Sequence, residues 1–124
     1  MPKLFLILGS LNAAAAVVLG AFGAHGLKAR LTTDMMSIYQ TGAQYHFYHA
    51  LGLMLIGVIA VHLPGSSWLR WSGWTMFAGI ILFSGSLYLL SVTQLRWLGM
   101  MTPLGGLAFI ASWLFVTYAV FASK

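Results

Sequence analysis

Four uninterrupted apolar stretches leave this chain one workable solvent, and that solvent is lipid. They cover residues 4–24, 42–62, 72–92 and 103–121. Each is about 20 residues long, and at about 1.5 Å of rise per residue a helix of that length crosses the ~30 Å hydrocarbon core. A backbone in lipid must satisfy its own hydrogen bonds, so runs of this length are expected to be helices. A membrane barrel would need alternating polar and apolar residues, and no segment alternates in that way. The expectation is an all-α membrane protein of four transmembrane helices in an antiparallel bundle. It forms a single domain over residues 1–124, with a short interfacial helix between the first and second spans.

Composition agrees. Apolar types make up 60% of the 124 residues and charged types 6%. A soluble domain needs roughly a quarter of its residues charged to cover its surface. The net charge of +5 comes from six Lys and Arg against one acid, Asp34. These basic residues are scattered singly, which fits headgroup anchoring of helix ends and argues against nucleic acid as a partner. Cysteine is absent, which removes disulfides, thiolate metal sites and iron–sulfur clusters from consideration. The first apolar run exceeds the 7–15 residues of a signal-peptide core and begins with Lys3 alone, so it reads as a retained span.

Local signals place the boundaries. Pro64-Gly65-Ser66-Ser67 cannot continue a helix and should end the second span. Thr41 and Gln44 have the spacing of a capping box just before the second apolar run. Thr102 followed by Pro103 reads as an N-cap with proline at the first helical position. Trp68, Trp71, Trp74 and Trp97 fall where spans meet the headgroup layer. Thr33 and Asp34 can open the short helix, with Met35, Ile38 and Tyr39 on one face lying along the membrane. An even number of spans puts both termini on one side with Arg70, so Lys3, Arg70 and Lys124 oppose Lys28, Arg30 and Arg96. That tie gives no orientation by the positive-inside rule and admits insertion both ways round.

In the first span Gly9, Ala13, Ala16, Gly20 and Gly23 line one seam. It is read as a close helix–helix contact in preference to the wall of a pore. Asn12 lies beside that seam about 12 Å into the membrane, and Ser84 and Ser112 fall within about a turn of its depth. The three are expected to form a hydrogen-bonded polar layer. His25 ends the first span while His46 and His49 open the second, so all three imidazoles are expected toward one bilayer face. Tyr45 and His49 share a helical face, as do His46 and His49. Such a cluster is suited to a metal, to haem held by two histidines, or to proton relay. The simpler reading is that these groups hydrogen-bond carbonyls and headgroups. His62 lies at the opposite face. No Ser-His pair has a buried acid beside it, so no catalytic constellation emerges and the chain does not read as an enzyme.

The stretches GAFGAHGL (Gly20–Leu27), YQTGAQYHFYHALGL (Tyr39–Leu53), FSGSLYLL (Phe83–Leu90) and TPLGG (Thr102–Gly106) resemble the domain-of-unknown-function 423 family, to which transmembrane protein 256 is related. The resemblance implies a four-span protein of the bacterial inner membrane with both termini in the cytoplasm. The motif histidines fall on His25 and His49, with His46 at a looser position. It brings no established biochemical activity. Three functions therefore compete: a non-enzymatic packing, accessory or lipid-interacting protein, associated with itself or a larger membrane complex; a small dimeric transporter or channel; and a haem or metal protein using His25 and His49. No cofactor is predicted under the first.

Overall fold

The second and third helices decide the architecture, because each touches all the others. In a computed structural model covering residues 1–124, four helices of membrane-spanning length run antiparallel to their sequence neighbours: α1 (Pro2–Leu27), α2 (Thr33–His62), α3 (Ser67–Thr93) and α4 (Arg96–Phe121). Helix α1 lies along α2 and reaches α3 through Phe5, while α3 and α4 pack against each other and against α2. The flanking helices α1 and α4 are largely turned outward, and α2 and α3 hold most of the buried residues. The core gathers Phe5, Leu53, Ile56, Leu69, Met76 and Phe109.

Glycines set the close approaches. A Cβ on Gly9 would lie 2.7 Å from the Met54 backbone nitrogen and 2.8 Å from the Ala50 carbonyl oxygen, so α1 and α2 touch backbone to backbone there. Gly23 receives the Tyr39 ring, Gly73 receives the Phe5 ring, and Gly105 lies against the Phe83 backbone. Without a hydrophobic force between helices in lipid, such contact is what holds a bundle together. The small-residue seam of α1 is therefore a packing face: Gly9 and Gly23 meet α2, Ala16 is buried and Ala13 half-buried. It opens at Gly20, where a Cβ would meet nothing within 4 Å.

Two helix starts differ from the sequence expectation. The second helix begins at Thr33, and Thr32 caps it by accepting the Met35 backbone N–H at 3.1 Å. The expected interfacial helix is therefore the first part of α2, with no break before the apolar run. Thr41 and Gln44 cap nothing: Thr41 Oγ1 donates to the Ser37 carbonyl and Gln44 Nε2 donates to the Tyr48 hydroxyl. A capping-box pattern inside a helix is satisfied by i−4 and i+4 partners just as well. Thr102 is likewise already helical, its Oγ1 sharing a hydrogen bond of 2.7 Å with Ser86 Oγ, and a 3-10 turn over Arg96–Met100 precedes it.

The turn at Pro64–Ser66 forms as expected, with Gly65 at φ +80°, a conformation that suits glycine. Gln94, at φ 60°, closes α3 by donating its N–H to the Leu90 carbonyl. Two wide π turns interrupt otherwise regular helix, at Gly23–Leu27 and at Ile80–Gly85. The second is the stretch of α3 that meets α2 and α4 together.

Candidate functional site

Because α2 starts at Thr33, its histidines move inward. His46 lies about 20 Å along the axis from the Thr33 end and about 24 Å from the His62 end. The histidines therefore sit near the middle of α2, away from the bundle's end, and both are buried. Two polar clusters form around them, one on each side of α2.

The first cluster ties α1, α2 and α3. His46 Nε2 lies 2.9 Å from Asn12 Oδ1, and His46 Nδ1 lies 2.9 Å from the Tyr88 hydroxyl. Asn12 Nδ2 donates to the Leu8 carbonyl at 2.8 Å, which turns its oxygen toward His46. The donor roles then follow. His46 carries its proton on Nε2 and donates to Asn12, while Nδ1 accepts from Tyr88. Beside it Tyr39 donates to the Leu19 carbonyl at 2.6 Å, with its ring centroid 5.1 Å from that of Tyr88.

The second cluster ties α2 and α4. The Trp113 indole N–H donates to His49 Nε2 at 3.1 Å. An indole can only donate, so Nε2 is an acceptor and the His49 proton sits on Nδ1, which donates to the Tyr45 carbonyl at 2.8 Å. The imidazole stacks on Phe109 at 3.5 Å between centroids, nearly parallel. Tyr45 contributes its ring, 4.9 Å from Phe83, and its backbone carbonyl.

The donor set does not fit a bis-histidine haem or metal centre. Both nitrogens of His46 and of His49 are taken by neighbours, so neither offers a free lone pair. His25 is exposed at the end of α1, beyond the level where Gly23 meets Tyr39. Tyr39 is itself about 15 Å along α2 from His49. The expected His25–His49 pairing does not form, and no three His, Cys, Asp or Glu side chains converge. The sole acid, Asp34, is exposed in the first turn of α2.

The expected polar layer of Asn12, Ser84 and Ser112 also separates. Asn12 joins His46. Ser112 pairs with Ser72 through Oγ–Oγ and Oγ–carbonyl hydrogen bonds of 2.7–3.1 Å between α3 and α4. Ser84 is fully buried, and its Oγ has no hydrogen-bond partner. Depth along a helix is readable from residue counting, but the direction a side chain faces depends on helix rotation. Tyr88, Trp113, Ser72 and Tyr39 are site residues that the sequence reading passed over as partners. Tyr88 carried one signal, a phenol one turn from Ser84 within an apolar span.

The model of the family described as "Protein of unknown function (DUF423)" matches residues 19–106. The UPF0382 membrane protein YwdK of Bacillus subtilis is 55% identical, over 94% of this chain and 95% of that protein. The UPF0382 membrane protein SH2409 of Staphylococcus haemolyticus is 49% identical over 96% of each chain. The UPF0382 membrane protein SERP0230 of Staphylococcus epidermidis is 50% identical over 94% of each. No solved structure matches the chain. The chain belongs to the DUF423 family of membrane proteins.

Proposed function

We propose that this DUF423 family member is a non-enzymatic protein of the bacterial inner membrane that acts through its packing and lipid-facing surfaces. Both termini are taken to be cytoplasmic, as the family resemblance implies. One observation carries the reading: the four ring nitrogens of His46 and His49 are all consumed in joining α2 to α1, α3, α4 and its own backbone. Buried imidazoles used in this way are tie points, and a polar group inside a membrane is worth keeping when it is fully paired. The reading calls for no haem or metal.

The lipid-facing part of the proposal rests on where the clefts lie. One of about 440 Å³ is lined by His62, the Pro64–Trp68 turn and the last residues through Lys124. A second, of about 630 Å³, is an apolar groove between α1 and α2 with Lys3 at its rim and Leu6, Ile7, Met54 and Val61 along it. Basic groups at the mouth of an apolar groove suit an anionic phospholipid, with its headgroup on the amine and its acyl chain below. The test is lipid analysis of protein extracted with its surrounding bilayer. Enrichment of anionic lipid that falls in a Lys3→Ser, Lys124→Ser variant is expected. A retained lipid mixture identical to the bulk membrane refutes the lipid-binding part.

A further inference from the structure

The outward face of α2 changes character halfway along, and its neighbours do not change with it. From its first turns to its middle this face presents Ser37, Gln40, Thr41, Gln44 and Tyr48, which fall within about 60° of one line at 100° per residue. Thr41 is half-buried and the other four are exposed. Further along, the same line continues as Leu51, Leu55 and Val58, all exposed. The polar half faces away from the side of α2 that buries His46, Gly42 and Leu53.

Flanking helices give the depth of that stripe. Tyr39 bonds to Leu19 and His46 to Asn12, so the stripe runs level with the second half of α1. There α1 turns Val17, Val18 and Phe22 outward, each more than half exposed. Gly42 lies against Leu87 and Tyr88, so the stripe is also level with the end of α3, which turns Leu89 and Val92 outward. A water-facing level would not carry five large apolar side chains on two neighbouring helices. The polar stripe therefore runs from the edge of the hydrocarbon, where Ser37 and Gln40 share a cleft with Lys28, into it at Gln44 and Tyr48. In lipid an amide needs partners, yet within the chain Gln44 has one hydrogen bond, to Tyr48, and Gln40 has none.

We propose that this stripe is covered by the same stripe of a second copy, related by a two-fold axis along the membrane normal. Amides and hydroxyls both donate and accept, so a neutral Gln/Ser/Thr/Tyr face is self-complementary, as a two-fold interface must be. The one charged group beside the stripe is Lys28, which shares a cleft with Ser37 and Gln40 at its loop end; from Thr41 to Tyr48 the face is neutral, and lipid tails offer no hydrogen bonds. The stripe occupies only the Thr33 half of α2, so the copies must insert the same way round. Antiparallel copies that met at Gln44 would hold their Ser37 residues about 20 Å apart. Helix association through interhelical polar pairs of this kind is modest per contact, and several contacts act together here.

The chain has no cysteine, so single-cysteine oxidation in native membranes reads the interface directly. Ser37→Cys, Gln40→Cys and Gln44→Cys are expected to give disulfide-linked dimers. Leu104→Cys, exposed at the same depth on α4, should remain monomeric. Adding Gln40→Leu and Gln44→Leu to Tyr48→Cys should reduce its cross-linking at least tenfold, with thermal stability in detergent reporting that the fold is kept. Equal cross-linking at Leu104, absence of dimer at all three stripe positions, or undiminished Tyr48→Cys dimer in the leucine variant would each overturn the proposal. So would self-linking at Gln44 without any at Ser37, or cross-links solely to a different protein.

Discussion

Two adjacent glycines in the first half of α4, Gly105 and Gly106, should respond in opposite ways to the same substitution. A Cβ on Gly105 would meet the Phe83 backbone, with Phe83 Cα and Cβ both at 2.7 Å. Ordinary van der Waals contact is about 3.4–4 Å, so Gly105→Ala requires α3 and α4 to part by close to 1 Å. The obstacle is backbone, held in the π turn at Ile80–Gly85, and no rotamer change relieves it. The same interface carries the Ser72–Ser112 pair, whose bonds of 2.7–3.1 Å would stretch with it. Overpacking of this kind costs about 1–3 kcal/mol, and the rigid obstacle places Gly105→Ala near the upper end. At about 1.4 kcal/mol per decade, 2–3 kcal/mol lowers the folding equilibrium constant by roughly 30-fold to 150-fold. On Gly106 the added methyl would meet only Phe83 Cδ2 at 3.9 Å. Gly106→Ala should therefore fall within about 0.5 kcal/mol of the parent or gain slightly from helix propensity. The assay is equilibrium unfolding in mixed micelles of increasing denaturing-detergent fraction. Equal losses for the two variants, or a larger loss at Gly106, would refute the packing argument.

Further predictions concern the buried polar groups. Asn12→Leu strands the His46 Nε2–H and should cost about 1–3 kcal/mol, whereas Asn12→Leu, His46→Leu and Tyr88→Phe together should recover part of that loss, because no polar group is left unpaired; unfolding of the three single variants and the triple variant checks the non-additivity. Ser84→Ala removes an orphaned hydroxyl and should be neutral or stabilising by up to about 1 kcal/mol. Ser112→Ala breaks its pair with Ser72 and should destabilise by about 1 kcal/mol, so the two alanine variants move apart in the same unfolding assay. Addition of zinc or haem should give no stoichiometric uptake by the purified protein. Stoichiometric uptake abolished by His49→Ala would contradict the assignment of His49 as a tie between helices.

What was legible in the sequence is what depends on distance along the chain. Four spans, their antiparallel order, the Pro64–Gly65 turn and the packing role of Gly9 and Gly23 follow from length, hydropathy and small-residue spacing. The start of α2 was hidden because Thr41 and Gln44 match a capping box, and local pattern cannot say that Thr32 caps first. That shift of about two and a half turns carried His46 and His49 from the end of a span to its middle. It also turned Gln40 from part of a connecting segment, and Gln44 from a capping residue, into members of one outward face. The partners of the histidines were out of reach for a different reason. Trp113 and Tyr88 meet His49 and His46 only after four helices choose their rotations, and that choice is made by contacts such as Phe5 on Gly73 and Phe83 on Gly105.

The most direct test of the central claim reads the protons themselves. Nitrogen NMR of histidine-labelled protein in bilayers, assigned with His46 and His49 variants, distinguishes the two neutral tautomers of each ring. His46 should carry its proton on Nε2 and His49 on Nδ1, each held in a single form by fixed partners on both nitrogens. The same tautomer at both positions, exchange between forms, or a metal-shifted nitrogen at either would contradict the account.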